Sequence, residues 1–123
     1  MAFTVVASGT LTPAAVGTEY NLNGGAAFSL GTAAGNTTTA ANYVLIINTN
    51  LLVAGDIVEF RIYVAAITGV AQEQLAYYAI HANVQGSKIK LSVPVVSPIS
   101  IKPTMKQTLG TARAFQWSLV QIS

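Results

Sequence analysis

From Ile57 to Ala65 apolar and polar residues take turns without interruption. Val58, Phe60, Ile62 and Val64 share one parity, and Glu59, Arg61 and Tyr63 the other. Successive side chains of a strand point to opposite faces, while a helix brings a residue back to one face only every three or four positions. This pattern therefore fits a half-buried strand and excludes an amphipathic helix. The same period returns further along. Between Gln74 and Val84, Leu75, Tyr77 and Ala79 oppose Ala76, Tyr78, Ile80 and Ala82; from Lys88 to Val93, Ile89, Leu91 and Val93 oppose Lys88, Lys90 and Ser92. From Ile99 to Gln107, Ile99, Ile101 and Met105 oppose Ser100, Lys102, Thr104 and Lys106, and Arg113 to Ile122 groups Phe115, Trp117 and Leu119. Tyr43 to Ile47 is a continuous apolar run, which predicts a strand buried on both faces. Ala54-Gly55-Asp56 and Gln85-Gly86-Ser87 mark turns, and Pro94 and Pro98 bracket a connection. Pro103 lies inside its strand and predicts an edge or a bulge there, because proline has no N–H to give a ladder. Short strands at regular spacing with no helical period predict an all-β fold, an antiparallel β-sandwich or jelly roll.

The expected organisation is a single domain over residues 1–123, with residues 42–123 as the main strand region. Residues 1–41 differ in character. Phe3 to Ala7 and Thr18 to Leu22 read as two weaker strands, while Gly31 to Ala41 is nearly all Gly, Ala, Thr and Asn. Side chains that small cannot anchor a core, so this Gly/Ala/Thr-rich N-terminal region is expected to form a loop or an arm.

Charge is scarce: six basic and four acidic residues in 123, against 52% hydrophobic residues. Soluble domains usually carry about a quarter charged residues. A large apolar surface that is neither core nor membrane-bound is usually an interface, so the composition points to a building block. The most apolar window, Tyr43 to Ala54, is broken by Asn48, Thr49 and Asn50 and is shorter than the roughly 20 residues of a spanning helix, so no membrane partner is expected. The start of the chain has neither a basic n-region nor a continuous apolar stretch, and no secretory signal is expected. Residues 1–73 sum to −3 and residues 74–123 to +5, the latter from Lys88, Lys90, Lys102, Lys106 and Arg113. A basic half can mean a nucleic acid or an acidic protein partner, but without interleaved aromatics it is a weak nucleic-acid footprint, and protection of strand edges explains it better. Tyr63, Lys88, Lys90, Lys102, Lys106 and Arg113 are the candidate interface residues.

Chemistry-bearing patterns are missing. There is no cysteine and one histidine, His81. Asp56 and Glu59 differ in parity and cannot pair from one strand; Asp56 is better suited to bonding the backbone of its turn. The chain has neither a serine nucleophile elbow nor a P-loop, and Gly24-Gly25 and Gly31 to Gly35 lack the following helix a phosphate cradle needs. Asn36-Thr37-Thr38 matches the glycosylation pattern, which is short and common. No catalytic, cofactor-binding or metal-binding residue is expected. A platform for sugars or bases, built on Tyr63, Tyr77 and Trp117 with the C-terminal lysines, is the competing reading; alternation argues against it by dividing the aromatic residues between faces.

Two stretches carry a family resemblance over residues 42–123. Gly55 to Tyr63, GDIVEFRIY, and Lys106 to Trp117, KQTLGTARAFQW, resemble segments of small all-β virion structural proteins of tailed bacteriophages. Leu109 and Ala112 stand where that pattern has a small residue and a glycine. The resemblance implies a capsid cement or decoration protein without enzymatic activity. Its partners would be the major capsid protein and further copies of itself as a trimer or dimer, on the capsid surface after assembly in the bacterial host cytoplasm. A tail- or fibre-associated virion protein is the alternative within the same class.

Overall fold

The computed structural model describes residues 2–122. The strands are β1 (Phe3–Leu11), β2 (Glu19–Asn21), β3 (Ala41–Asn48), β4 (Ile57–Ala65), β5 (Gln74–Ala82), β6 (Ile89–Leu91), β7 (Val95–Ser97), β8 (Ser100–Leu109) and β9 (Phe115–Ile122); a 3₁₀ turn at Val70–Gln72 precedes β5. They form two antiparallel sheets packed together. Sheet A runs β1-β9-β3-β6, with β7 also on β3, and sheet B runs β2-β8-β4-β5. No helix among the described residues is long and apolar enough to cross a membrane.

Alternation puts the core between the sheets. Tyr43, Leu45 and Ile47 of β3 and Phe115, Trp117 and Leu119 of β9 face Val58, Phe60 and Ile62 of β4 and Ile101 and Met105 of β8, all buried. Phe60 meets Phe115 edge-on at 5.7 Å between ring centroids. Each fully buried side chain of this size contributes about 1.5–3 kcal/mol relative to exposure, so these residues decide which face of each strand turns inward.

Several expectations change. The two N-terminal strands expected at Phe3 to Ala7 and Thr18 to Leu22 are present as β1 on the edge of sheet A and β2 on the edge of sheet B, and the small-residue segment is a packed connection between β2 and β3, a loop and not an arm. β3 is buried on one face only; Val44 and Ile46 are half-exposed on the other, because nothing covers the outside of sheet A. The segment between Pro94 and Pro98 is the short strand β7. β6 and β7 share one flank of β3, opposite Ile46–Asn48 and Ala41–Tyr43 respectively. Pro94 has no N–H and breaks the ladder between them. Ser92 spans the break, its amide donating to the Leu45 carbonyl at 2.8 Å and its Oγ accepting from the Leu45 amide at 2.9 Å.

Pro103 lies in β8, between β2 and β4, but where β2 has ended. Its carbonyl accepts the Leu22 amide at 3.0 Å, and Thr37 exchanges two 2.9 Å bonds with Ile101 beyond it. The N–H and C=O of a strand residue project to the same flank, so the missing donor faces the gap past β2, where no ladder partner requires it.

Candidate interaction surface

The two sheets differ in what their outer faces carry. Among the strands of sheet B, Glu19, Glu59, Arg61, Lys102 and Lys106 are charged. The cross-strand pairs Glu19–Lys106, Glu59–Lys106, Arg61–Thr104 and Tyr63–Lys102 place these side chains on the face away from the core. The connection between β2 and β3 lies across this face. Phe28 stacks on Tyr63 with centroids 4.4 Å apart and planes 20° from parallel. Lys102, fully buried, reaches the Glu73 carboxylate at 2.8 Å and the carbonyls of Thr32 and Ser29 at 3.0 and 3.2 Å. Glu73 in turn accepts the Gly31 amide at 2.7 Å. The small residues of Gly31 to Asn36 thus serve close packing: a Cβ at Gly35, already at φ +79°, would run into Asn21.

Sheet A is the reverse. Its five strands contain one charged residue, Lys90, which stands opposite buried Ile47 and so points to the inner side. Among the described residues the outer face holds no charged side chain. Cross-strand pairing aligns Phe3 with Ile122, Val5 with Val120, Val120 with Val44, and Val96 with Asn42, while Ile46 meets Leu91. Phe3, Val5, Leu91 and Val96 are 69%, 58%, 61% and 65% exposed, values expected of lysines rather than of large apolar side chains. The bulge between Val5 and Ala7 changes the parity of β1, so that Phe3 and Val5 join the outer face while Ala7 turns to the core beside Leu119. The other end of the face is neutral and polar, with Ser8, Thr10, Asn48, Gln116 and Ser118 around a shallow depression of about 440 Å³. A second depression of about 420 Å³ lies between Ala41, Val96 and Ile122. Both are open hollows, suited to a broad partner.

The candidate interface residues of the sequence do not converge here. Tyr63 is half-buried under Phe28; burial first, and then the Glu19 carboxylate, push its phenol up to about 12. Lys102 offers no surface to a partner, since its side chain is wholly enclosed. Arg113 donates to Asp56 at 2.8 Å. Lys106 is half-buried between its cross-strand neighbours Glu19 and Glu59. Lys88 is exposed and Lys90 half-buried at the β6 edge. All four side-chain carboxylates are within ion-pair distance of Arg61, Lys102 or Arg113, so among the described residues Lys88, Lys90 and Lys106 make no salt bridge. The outer face of sheet A escaped sequence reasoning because Ile89, Leu91 and Val93 alternate with Lys88 and Lys90 just as a core-facing strand does. Nothing local says that the apolar side faces out.

Other polar groups hold the fold together. Burial raises the Asp56 carboxyl, but the Arg113 guanidinium and bonds from the Val53 and Thr111 backbone outweigh it and hold the group below its ordinary value. This is the turn role expected of Asp56. Gly110, at φ +95°, is close enough that a Cβ there would overlap the Asp56 carboxylate. Gln107 donates to the carbonyls of Leu109 and Thr111 and accepts from the Arg113 amide, knitting the turn. Ala112 is not in the left-handed region, so glycine's freedom is not needed there. His81 packs at 5.9 Å from Phe60; burial, and then Lys90, hold its imidazole below the ordinary value. Asn36 donates its side-chain amide inward to the Thr32 carbonyl at 3.2 Å. The described residues contain no group of three or more His, Asp or Glu placed to hold a metal. Trp117 is in the core, so Tyr63, Tyr77, Trp117 and Lys102 share no exposed platform. Comparison with protein-family models, curated proteins and solved structures finds no match to this chain.

Proposed function

We propose that this protein is a non-enzymatic virion structural protein, a cement or decoration subunit that binds the major capsid shell of a tailed phage and stabilises it through protein–protein contacts. The observation that carries this reading is the uncharged, apolar outer face of sheet A. A subunit that ends up inside an assembly can keep such a face, because the assembly removes it from water; a freely diffusing one exposes it to aggregation. The resemblance of Gly55 to Tyr63 and Lys106 to Trp117 to virion proteins supplies the kind of assembly. Lys88, exposed and without a carboxylate partner among the described residues, suits an acidic shell surface, which would attract it over a distance that salt shortens.

We further infer that the sandwich is an eight-stranded jelly roll. With β6 and β7 taken as one strand broken at Pro94, the chain steps to the opposite sheet at every connection except the β4–β5 hairpin, and the orders 1-9-3-6 and 2-8-4-5 follow from that wrapped path. This architecture recurs in viral capsid domains and in lectins. It hosts many functions, so the reading rests on the face.

The test is direct. Particles stripped of the protein are expected to lose resistance to heat and osmotic shock and to regain it when purified protein is added back. Electron microscopy with a C-terminal label is expected to place it on the capsid; a label on the tail would favour the tail-associated alternative. Stripped particles as robust as intact ones would remove the cement role.

A further inference from the structure

The outer face of sheet A has a property beyond being apolar: it is compatible with itself. A two-fold interface sets a patch against its own copy, residue i against j and j against i, so a patch carrying charge of one sign repels itself. Among the described residues this face has no charged side chain, although five occur on the strands of the other sheet. Its polar end is built from Ser8, Thr10, Asn48, Gln116 and Ser118. Hydroxyl and amide side chains both donate and accept, so each can pair with a second copy of the same group; ammonium and carboxylate groups cannot. An acidic, basic or nucleic-acid partner would leave this selection of side chains unexplained.

Size and shape agree. Four strands about 4.8 Å apart and eight residues long at about 3.3 Å each give a flat footprint of roughly 500 Å². The corrugated accessible area is larger, approaching the ~800 Å² per partner of a standard stable interface. A flat sheet face is closed by one other flat face about 10 Å away, crossing at about −30°, which makes a two-body contact. We propose that the outer face of sheet A is the interface of a symmetric dimer of this chain, with Val44, Ile46 and Val120 at its centre, Phe3, Val5, Leu91 and Val96 excluding water along its two flanks, and Asn48 and Gln116 bonding across at its polar end. The proposal deepens the structural reading above by naming the partner on that face, and it leaves exposed Lys88 to the shell.

The experiment is sedimentation equilibrium of the purified full chain in the absence of particles, over micromolar concentrations. The wild type is expected at twice the 12.8 kDa chain mass. Leu91→Glu and Val96→Glu, each placing like charges in the contact, are expected to weaken dimerisation by roughly 100-fold. Ile67→Glu, at the most exposed large apolar side chain and outside both sheets, is expected to leave it unchanged. Because Leu91 and Val96 are exposed in the single subunit, the variants keep the core, and an unchanged Trp117 fluorescence spectrum verifies this. A wild type that is monomeric or trimeric, or a dimer indifferent to both substitutions, overturns the proposal. Co-sedimentation of the same samples with stripped particles is a separate readout. A monomer that still binds shells defeats the dimer and keeps the cement role; a face-dependent dimer that ignores shells does the reverse.

Discussion

Lys102 shows how much a single residue's meaning depends on its surroundings. In the chain it is one of five basic residues after position 73; in the folded protein it is a fully buried ammonium whose acceptors come from two segments far from it and from each other in sequence. The carboxylate of Glu73 and the carbonyls of Ser29 and Thr32 surround it, and the Phe28 ring lies 5.2 Å from the nitrogen. Removing one member of a buried pair leaves the other charge uncompensated, which is worth about 3–5 kcal/mol. Lys102→Met is therefore expected to lower the stability measured by urea unfolding by that amount. Adding Glu73→Gln should recover at least half of the loss, because the glutamine oxygen still accepts the Gly31 amide while the orphaned charge is gone. A double variant no better than the single would show that carbonyl contacts, and not the ion pair, hold the site.

Among the elements, the connection between β2 and β3 shapes sheet B most. It has no regular structure, yet it closes the edge of β8 through Leu22 and Thr37 and covers Lys102, whose parity would otherwise expose it. Its grip on the sheet face is the Phe28–Tyr63 stack together with the Lys102 contacts. Phe28→Ala removes the stack of a half-buried ring and is expected to cost about 1–2 kcal/mol. Hydrogen exchange should then accelerate at the Gly31 amide and at the Thr37–Ile101 bridge, while the amides shared by β4 and β8 keep their protection. Uniform acceleration throughout the protein would mean that the connection and the sandwich open as one unit.

For the whole molecule, acid should act in two separate steps. His81 is held below its ordinary 6.5, so below that pH the unfolded chain takes up a proton that the folded protein resists. Stability is full above the unfolded value and declines as pH falls through the window toward the folded value. Asp56 is held below 3.8, so the contribution of its pairing with Arg113 is present above that pH and is lost as pH falls through the lower folded value. Urea midpoints followed from pH 8 to 3 are expected to show a shallow decline beginning near 6.5 and a second below about 4. His81→Gln should abolish the first decline and leave the second. A dimer through sheet A would add a concentration dependence to every midpoint, since mass action stabilises whatever the folded state binds.

Period-two alternation determined the all-β class, the inward residues of β4 and β9 and the strand positions of β5 and β8, because it depends only on neighbours in the chain. The turn role of Asp56 was legible for the same reason: its partner, the Val53 amide, is three residues away. Alternation says that a strand has two unlike faces and is silent on which face a second layer will cover. The tertiary structure decided that. It covered the polar side of β8 and buried Lys102, left the apolar side of β6 in the open, and joined Phe3, Leu91 and Val96 from distant segments into one uncharged surface. Burial is a property of layers, and layers are made by contacts between residues that the order of the chain keeps apart.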